Sequence, residues 1–386
     1  MRKILVINLM PLGDLLLTTP FLRALRNLWP DDQISLLADA RWGDVVRLNP
    51  CIDEFIALDK KRDHRTLLQQ LQFIKFIRKK HFDLVINLHY NERSSMIAVG
   101  SGAKLRIGYA NRYFAPLMDM FQDNRCLHKH IVESHYDILR EKLFIDNELI
   151  VDSGLEFAIG AKEAAIAELR WQTKWKNNPP EKVIALNIGA SWPTKRWPVE
   201  YFAELAVKLL ADGYGIAFFG SKPERELVEQ CVALVAGKVN SERLKVKGCS
   251  SEKAGSERWS GALKVAVFTG ELSLMELGAC LKKCVALVTN DSGPLHIAVS
   301  QAVPTLSFYG PSPVPGFAPY NNYSVVLKSA LKCHPCRKWE CPLGTLQCMY
   351  NITAAVAYSE LNELLTQVNS GMPLKTGAFA ATVVEQ

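Results

Sequence analysis

Apolar positions along the first ninety residues alternate between two rhythms. Residues 3–9, Lys-Ile-Leu-Val-Ile-Asn-Leu, form a nearly unbroken apolar run, as a parallel strand covered on both faces requires. From Leu15 the spacing changes: Leu15, Leu16, Phe21, Leu22, Leu25 and Leu28 recur at helical intervals, with Pro20 predicting a kink and Pro30 lying beyond the end. Further strands are predicted at 34–38, 54–58 and 84–88, with a helix over 66–78 between the last two. This β–α alternation predicts a doubly wound parallel sheet.

The order is interrupted at 171–182, where three Lys, two Asn and a Pro-Pro pair read as an interdomain linker and a place for a hinge. A second series follows, with strands predicted at 183–188, 215–219, 244–247, 286–289 and 305–308. The expected organisation is therefore an α/β domain over 1–170, the linker, and a second α/β domain over 183–386. A chain of 386 residues is long enough for two cores of that kind. Residues 248–262, rich in Ser, Lys, Glu and Gly, read as a surface insertion.

With 48% apolar and 22% charged residues the composition is that of an ordinary folded enzyme. No apolar run reaches the roughly 18 to 20 residues of a membrane span. Met1-Arg-Lys followed by apolar residues reads as the first strand rather than a leader, because Asn8 and Gly13-Asp14 cut the run short. The net charge of +7 is modest. The runs Lys60-Lys61-Arg62 and Arg78-Lys79-Lys80-His81 suit an anionic membrane surface or a phosphorylated substrate, or else they are solvated helix faces.

Chemistry in open parallel sheets gathers where loops leave the carboxyl ends of strands. Four candidate loops do so here. Pro11-Leu-Gly13-Asp14 follows the first strand, and Asp14 is either a helix N-cap or a carboxylate facing a ligand. Asn187-Ile-Gly189-Ala-Ser191, with Lys195 beyond it, offers small-residue amides and a cation to a diphosphate, or is a turn with a solvated Lys-Arg pair. Gly220-Ser-Lys-Pro-Glu224 brings a carboxylate suited to a ribose, or an exposed helix-start glutamate. Thr289-Asn-Asp291-Ser292-Gly293-Pro-Leu-His296 places free amides at a helix N-terminus, favourable for an anion, with His296 about one turn in; the alternative is an Asx-turn cap with a satisfied histidine.

Absences sharpen the picture. Neither G-x-G-x-x-G nor G-x-x-x-x-G-K-[ST] occurs, which removes the main support for a dinucleotide oxidoreductase or a P-loop hydrolase. Nor does any Asp-x-Asp pair occur, the simplest device for holding a divalent ion on a nucleotide diphosphate.

The combination of Gly13-Asp14, Thr194-Lys-Arg-Trp-Pro198 and Asn290-Asp-Ser-Gly-Pro-Leu-His296 resembles the ADP-heptose:lipopolysaccharide heptosyltransferases of glycosyltransferase family 9. The resemblance implies a GT-B architecture, two Rossmann-like doubly wound domains facing a cleft, with the lipid-linked acceptor on the N-terminal domain and the donor nucleotide mainly on the C-terminal one. It implies inverting, metal-independent transfer of heptose from ADP-heptose to a lipopolysaccharide inner-core hydroxyl, with no catalytic cofactor. By position Asp14 resembles the general base and Lys195 the diphosphate-binding lysine; Asp291, Ser292, Gly293 and His296 resemble the donor loop, with Gly189, Ser191 and Glu224 as further donor contacts. Lys60, Lys61 and Arg62 are the expected acceptor contacts. The expected setting is the cytoplasmic surface of the inner membrane, with no nucleic-acid partner. The same motifs admit another nucleotide sugar, another acceptor, or a non-catalytic nucleotide-sugar sensor.

Ten cysteines without a secretory context predict reduced thiols. Cys333, Cys336, Cys341 and Cys348, spaced C-x2-C-x4-C-x6-C, are the exception that invites a structural zinc or iron–sulfur site, with disulfides and plain thiols as the other readings.

Overall fold

The computed structural model describes residues 1–59, 66–121, 129–247, 264–371 and 381–386. They divide into two compact units, Met1–Ala158 with Pro315–Phe317, and Ile159–Val314 with Ala318–Gln386. The division falls ahead of the Lys- and Pro-rich stretch 171–182. Helix α7 (Ala161–Lys174) runs into that stretch, and its Trp171 stacks on Phe268 at 5.5 Å in the second unit. Only the turn residues after Trp175 form the loop that the composition signals.

In the first unit β1 (Lys3–Ile7), β2 (Gln33–Asp39), β3 (Glu54–Leu58), β4 (Leu84–Asn87), β5 (Leu105–Gly108) and β6 (Met120–Phe121) form one sheet in the order β3-β2-β1-β4-β5-β6. Every pairing is parallel. Its helices are α1 (Leu12–Leu16), α2 (Thr19–Leu28), α3 (Gly43–Val46), α4 (Leu67–Lys79), α5 (Glu92–Gly100) and α6 (Ile131–Lys142). The predicted helix after β1 is thus two helices. Pro20 lies in the first turn of α2, where its missing N–H costs nothing, so the chain breaks just before it. α4 starts where Thr66 and Gln69 close a reciprocal capping box. Its Phe73 and Ile77 join Leu5, Ile7, Leu37 and Ile56 in the core.

The second unit holds β7 (Val183–Asn187), β8 (Gly215–Phe219), β9 (Val265–Val267), β10 (Ala286–Asn290), β11 (Thr305–Tyr309), β12 (Ser324–Lys328) and β13 (Thr382–Glu385) in the order β13-β12-β11-β10-β7-β8-β9. Again every pairing is parallel. The helices named here are α8 (Val199–Ala211), α9 (Arg225–Lys247), α10 (Leu274–Leu281), α11 (Gly293–Ser300) and α12 (Ala354–Asn369). All five residues of β7, β8, β10 and β11 are buried. The strand expected at 244–247 is the end of α9, and β9 takes its place in the sheet. Four residues alternating Leu-Lys-Val-Lys fit a strand or a helix end equally, and periodicity over so short a window cannot choose. The insertion at 248–262 lies outside the described residues. Among those described, no helix is long and apolar enough to cross a membrane.

Both sheets change winding direction once. In the first unit the turning point lies between β1 and β4, in the second between β7 and β10. Loops leaving neighbouring strands diverge there, which opens a crevice at the carboxyl edge. The first of these edges is closely fitted. Asn87 donates from Nδ2 to the Tyr109 carbonyl at 2.7 Å, and Tyr109 N–H returns a bond to the Asn87 carbonyl at 2.7 Å. Gly108, between them, has φ +106°, and a Cβ there would stand 2.3 Å from the Asn87 carbonyl oxygen. Replacing Gly108 with Ala combines left-handed strain with a backbone clash and is expected to cost about 2–4 kcal/mol. Chemical denaturation checks it, and a loss under about 0.5 kcal/mol would refute the fit.

Candidate functional site

Asp14 is the third residue of α1, directly after central strand β1. Pro11 holds the N-cap position in extended geometry, without a side-chain cap hydrogen bond. Asp14 is therefore no N-cap. Its carboxylate lies in the first turn, partly exposed, where the helix dipole favours negative charge. Asn8, buried beside it, donates to Thr18 Oγ1 at 2.6 Å and accepts from Met10 N–H at 3.0 Å, while Thr18 donates to the Asp14 carbonyl at 3.0 Å. The loop carrying Asp14 is thus tied down on both sides. His89 follows β4 at the same edge, its N–H on Asn87 Oδ1 at 3.3 Å.

The second unit assembles a denser group. Lys195 ends a short 3₁₀ turn, Pro193–Lys195, and its Nζ reaches Asp291 Oδ2 at 2.6 Å. The two side chains are only 19% and 9% exposed, so the pair is largely screened from water and its geometry is set by the fold. Ser312, leaving β11, donates to the same carboxylate oxygen. Two asparagines bind the loops into one edifice. Asn187 donates to Thr289 Oγ1 at 3.1 Å and Ser292 Oγ at 3.2 Å. Asn290 donates to the Ile188 carbonyl at 2.9 Å and accepts from Trp197 N–H at 2.8 Å. The Lys-Arg-Trp-Pro segment is then explained residue by residue: Lys195 faces the site, Arg196 holds the Ala190 carbonyl at 3.1 Å, and Trp197 is buried on Phe308 with ring centroids 4.0 Å apart.

Helix α11 opens beside this pair. Ser292 is its N-cap but makes no side-chain cap bond, since its hydroxyl is engaged with Asn187 and Thr289. The N-cap side chain makes no bond to the first-turn amides, and Pro294 brings none, so the positive end of the helix dipole faces the sheet edge uncapped by Ser292 Oγ. His296 sits one turn in, 3% exposed. Its pKa is lowered to about 4, first by burial and then by the Lys195 charge, with Asp291 opposing. It is a neutral imidazole whose buried Nδ1 has no hydrogen-bond partner among the described residues.

Glu224 stands at a helix start. Its Oε2 accepts from Ser221 N–H at 2.6 Å and Ser221 Oγ at 2.7 Å, closing a capping box. Its Oε1 lies against Gly189, 1.9 Å from where a Cβ would stand, so any larger residue there would displace the carboxylate. Ser191 is exposed in the same loop. The structure thus gathers Gly189, Ser191, Lys195, Asp291, Ser292, Gly293 and His296 around the β7–β10 turning point, with Glu224 abutting Gly189. Lys60, Lys61 and Arg62 lie outside the described residues.

The cysteine cluster is a correction. Cys333, Cys336, Cys341 and Cys348 are free thiols, and among the described residues no group of three or more His, Cys, Asp or Glu side chains is placed to hold a metal ion. The spacing has a different use. Cys341 faces the amides of its own turn, foremost Leu346, which lower its pKa. Cys348 packs against the second core beside buried Met349, and burial pushes its thiol up to about 11. Ser312, Asn187 and Asn290 were not singled out from sequence. Ser312 follows a strand within Gly310-Pro-Ser-Pro313, so the carboxyl-edge rule carried the signal.

His296 and His135, the latter pushed down to about 3 by burial, set a pH dependence. Both pKa values are depressed in the fold, so the stability of the neutral forms is complete above the ordinary value near 6.5 and drains away as pH falls toward 4 and 3. Each contributes a slope of up to about 1.4 kcal/mol per pH unit once below that value. Melting temperature is expected to fall between about pH 7 and pH 5, and less steeply in a His135→Gln/His296→Gln variant. An unaltered slope would show that neither ring titrates on unfolding.

The family model for glycosyltransferase family 9 (heptosyltransferase) matches residues 70–347. Lipopolysaccharide heptosyltransferase 2 of Escherichia coli K12 is 26% identical over 376 residues, covering 95% of this chain and 99% of the relative. A solved glycosyltransferase family 9 protein from Veillonella parvula superposes with a TM-score of 0.80 at 30% identity, over 95% of this chain and 98% of that one. The solved E. coli ADP-heptose LPS heptosyltransferase II matches with a TM-score of 0.70 at 22% identity, over 95% and 100%. Two parallel doubly wound sheets in succession are the GT-B architecture, the helix-start groups stand at the sheet edges where that architecture places ligands, and the chain is a glycosyltransferase belonging to family 9, the heptosyltransferases.

Proposed function

We propose that the enzyme transfers heptose from ADP-heptose to a hydroxyl of a lipopolysaccharide inner-core acceptor, by single displacement with inversion and without a catalytic metal. The observation that carries this reading is the Lys195–Asp291 pair beside the start of α11, which has no side-chain cap: a held cation and the positive helix end converge where a diphosphate would lie. The names of the relatives supply the sugar and the nucleotide. Donor binding is assigned to the second unit, with Gly189 and Ser191 approaching the phosphates, Glu224 facing the ribose and His296 lining the loop. The acceptor is assigned to the first, a glycolipid at the cytoplasmic surface of the inner membrane.

In the reaction the acceptor oxygen forms a bond to the anomeric carbon as the bond to the diphosphate breaks, and the electron pair leaves with ADP. Asp14 takes the hydroxyl proton. Lys195 and the loop amides stabilise the charge that grows on the departing diphosphate, and Asp291 and Ser312 keep Lys195 aimed. A cation built into the fold supplies the neutralisation that an Asp-x-Asp metal site provides elsewhere.

Two measurements test this. Lys195→Ala is expected to weaken ADP binding roughly 10- to 100-fold in calorimetry, the loss of one charge-assisted contact; unchanged affinity would remove Lys195 from the site. Asp14→Asn is expected to lower transfer about 10²–10⁴-fold while donor affinity persists. The substitution loses no cap, since Pro11 holds that position, and the weakened helix-dipole contribution is about 0.3–1 kcal/mol. Near-normal transfer with intact binding would place the base elsewhere. A panel of nucleotide sugars, assayed with the wild type, decides whether the base and sugar are those assigned.

A further inference from the structure

Helix α4 turns Phe73 and Ile77 into the first core, yet its opposite side is not the mixed-charge surface of a solvated helix. Leu67, Leu68 and Leu71 are 67%, 66% and 51% exposed, and Phe76 flanks them at 46%. At helical spacing Leu67, Leu68, Leu71, Lys75, Arg78 and Lys79 fall within one arc of about 120°. The leucines occupy the N-terminal half of that arc and the cations the C-terminal half. No acidic residue occurs from Thr66 to Phe82. Lys80 is spent on Glu54 at 2.5 Å, but Lys75, Arg78 and Lys79 have no carboxylate partner among the described residues.

We propose that this outward face of α4 docks the protein on an anionic lipid surface. Leu67, Leu68 and Leu71 enter the acyl boundary, and Lys75, Arg78 and Lys79 meet the headgroup phosphates. Charge decides between occupants. A second copy of the chain would have to bring the same three cations toward one another or toward its own leucines, whereas an anionic bilayer satisfies both halves of the arc at once. The inference deepens, and rests on, the reading of a membrane-borne acceptor.

Flotation of the full chain with vesicles, in the absence of donor and acceptor, tests docking apart from transfer. The protein is expected to bind vesicles of equimolar phosphatidylcholine and phosphatidylglycerol and to leave phosphatidylcholine vesicles unbound. Lys75→Glu/Lys79→Glu and Leu68→Ser/Leu71→Ser should each lower binding by about tenfold or more. Leu169→Ser, which removes another exposed leucine on α7, should leave it unchanged. Matching circular dichroism and melting curves establish that the variants fold. Absence of wild-type binding, equal binding to neutral vesicles, or unaltered binding of both double variants would overturn the proposal. So would a lipid-free dimer that Leu68→Ser/Leu71→Ser dissociates. Transfer to acceptor dispersed in detergent, measured alongside, separates failure of docking from failure of the catalytic assignment.

Discussion

A strand buried on both faces cannot carry an unpaired charge along its length, and this constraint shapes the whole molecule. The four strands β7, β8, β10 and β11 are buried throughout. Their few polar residues are hydrogen-bonded, as Thr305 to Ser324 Oγ at 2.7 Å and Ser307 to the Val325 carbonyl at 3.3 Å. Ionisable and ligand-seeking groups are thereby expelled to the strand ends. Parallel pairing puts all carboxyl ends on one edge, and the reversal of winding between β7 and β10 opens that edge. Lys195, Asp291 and the start of α11 meet there because the sheet leaves them no other place.

The edge is held rigid by amides rather than by charges. Asn187 and Asn290 terminate adjacent parallel strands, and each spends its side chain on the loop leaving the other. In the first unit Asn8 ties the loop after β1 to Thr18, and Asn87 ties the end of β4 to the Tyr109 carbonyl after β5. A neutral amide both donates and accepts, so it can tie two loops without altering the electrostatics that the ligand meets. Trp197 adds the apolar half of the clamp: its ring stacks on Phe308 while its Nε1 donates to the Ile352 carbonyl at 2.6 Å. The cation one turn earlier is positioned by a residue that never touches it.

Burial also fixes protonation. His296 lies where desolvation outweighs the nearby carboxylate, so its ring stays neutral, with one nitrogen unmatched among the described residues. The Lys195–Asp291 pair lies in a partly dry setting, where each partner offsets the other's desolvation.

The sequence by itself determined the repeating β–α order, most strand positions and the loops that carry the chemistry, because hydrophobic period and turn chemistry are local properties. β8 and β3 fall where their apolar runs predict, and Asp14, Lys195 and Asp291 were visible as polar residues just after apolar runs. Tertiary structure alone decided the rest. β5 and β6 are too short to stand out, and the Leu-Lys-Val-Lys stretch at 244–247 joined a helix although its alternation suits a strand. The pairing of Lys195 with Asp291 spans 96 residues and depends on β7 and β10 being neighbours, which strand order sets and spacing along the chain does not. Ser312 reached the same carboxylate only because β11 lies next in the sheet. The four clustered cysteines show the converse: their spacing is legible in the sequence, but turn geometry and packing set their surroundings, with Cys341 on the amides of its own turn and Cys348 on the core beside the other three thiols.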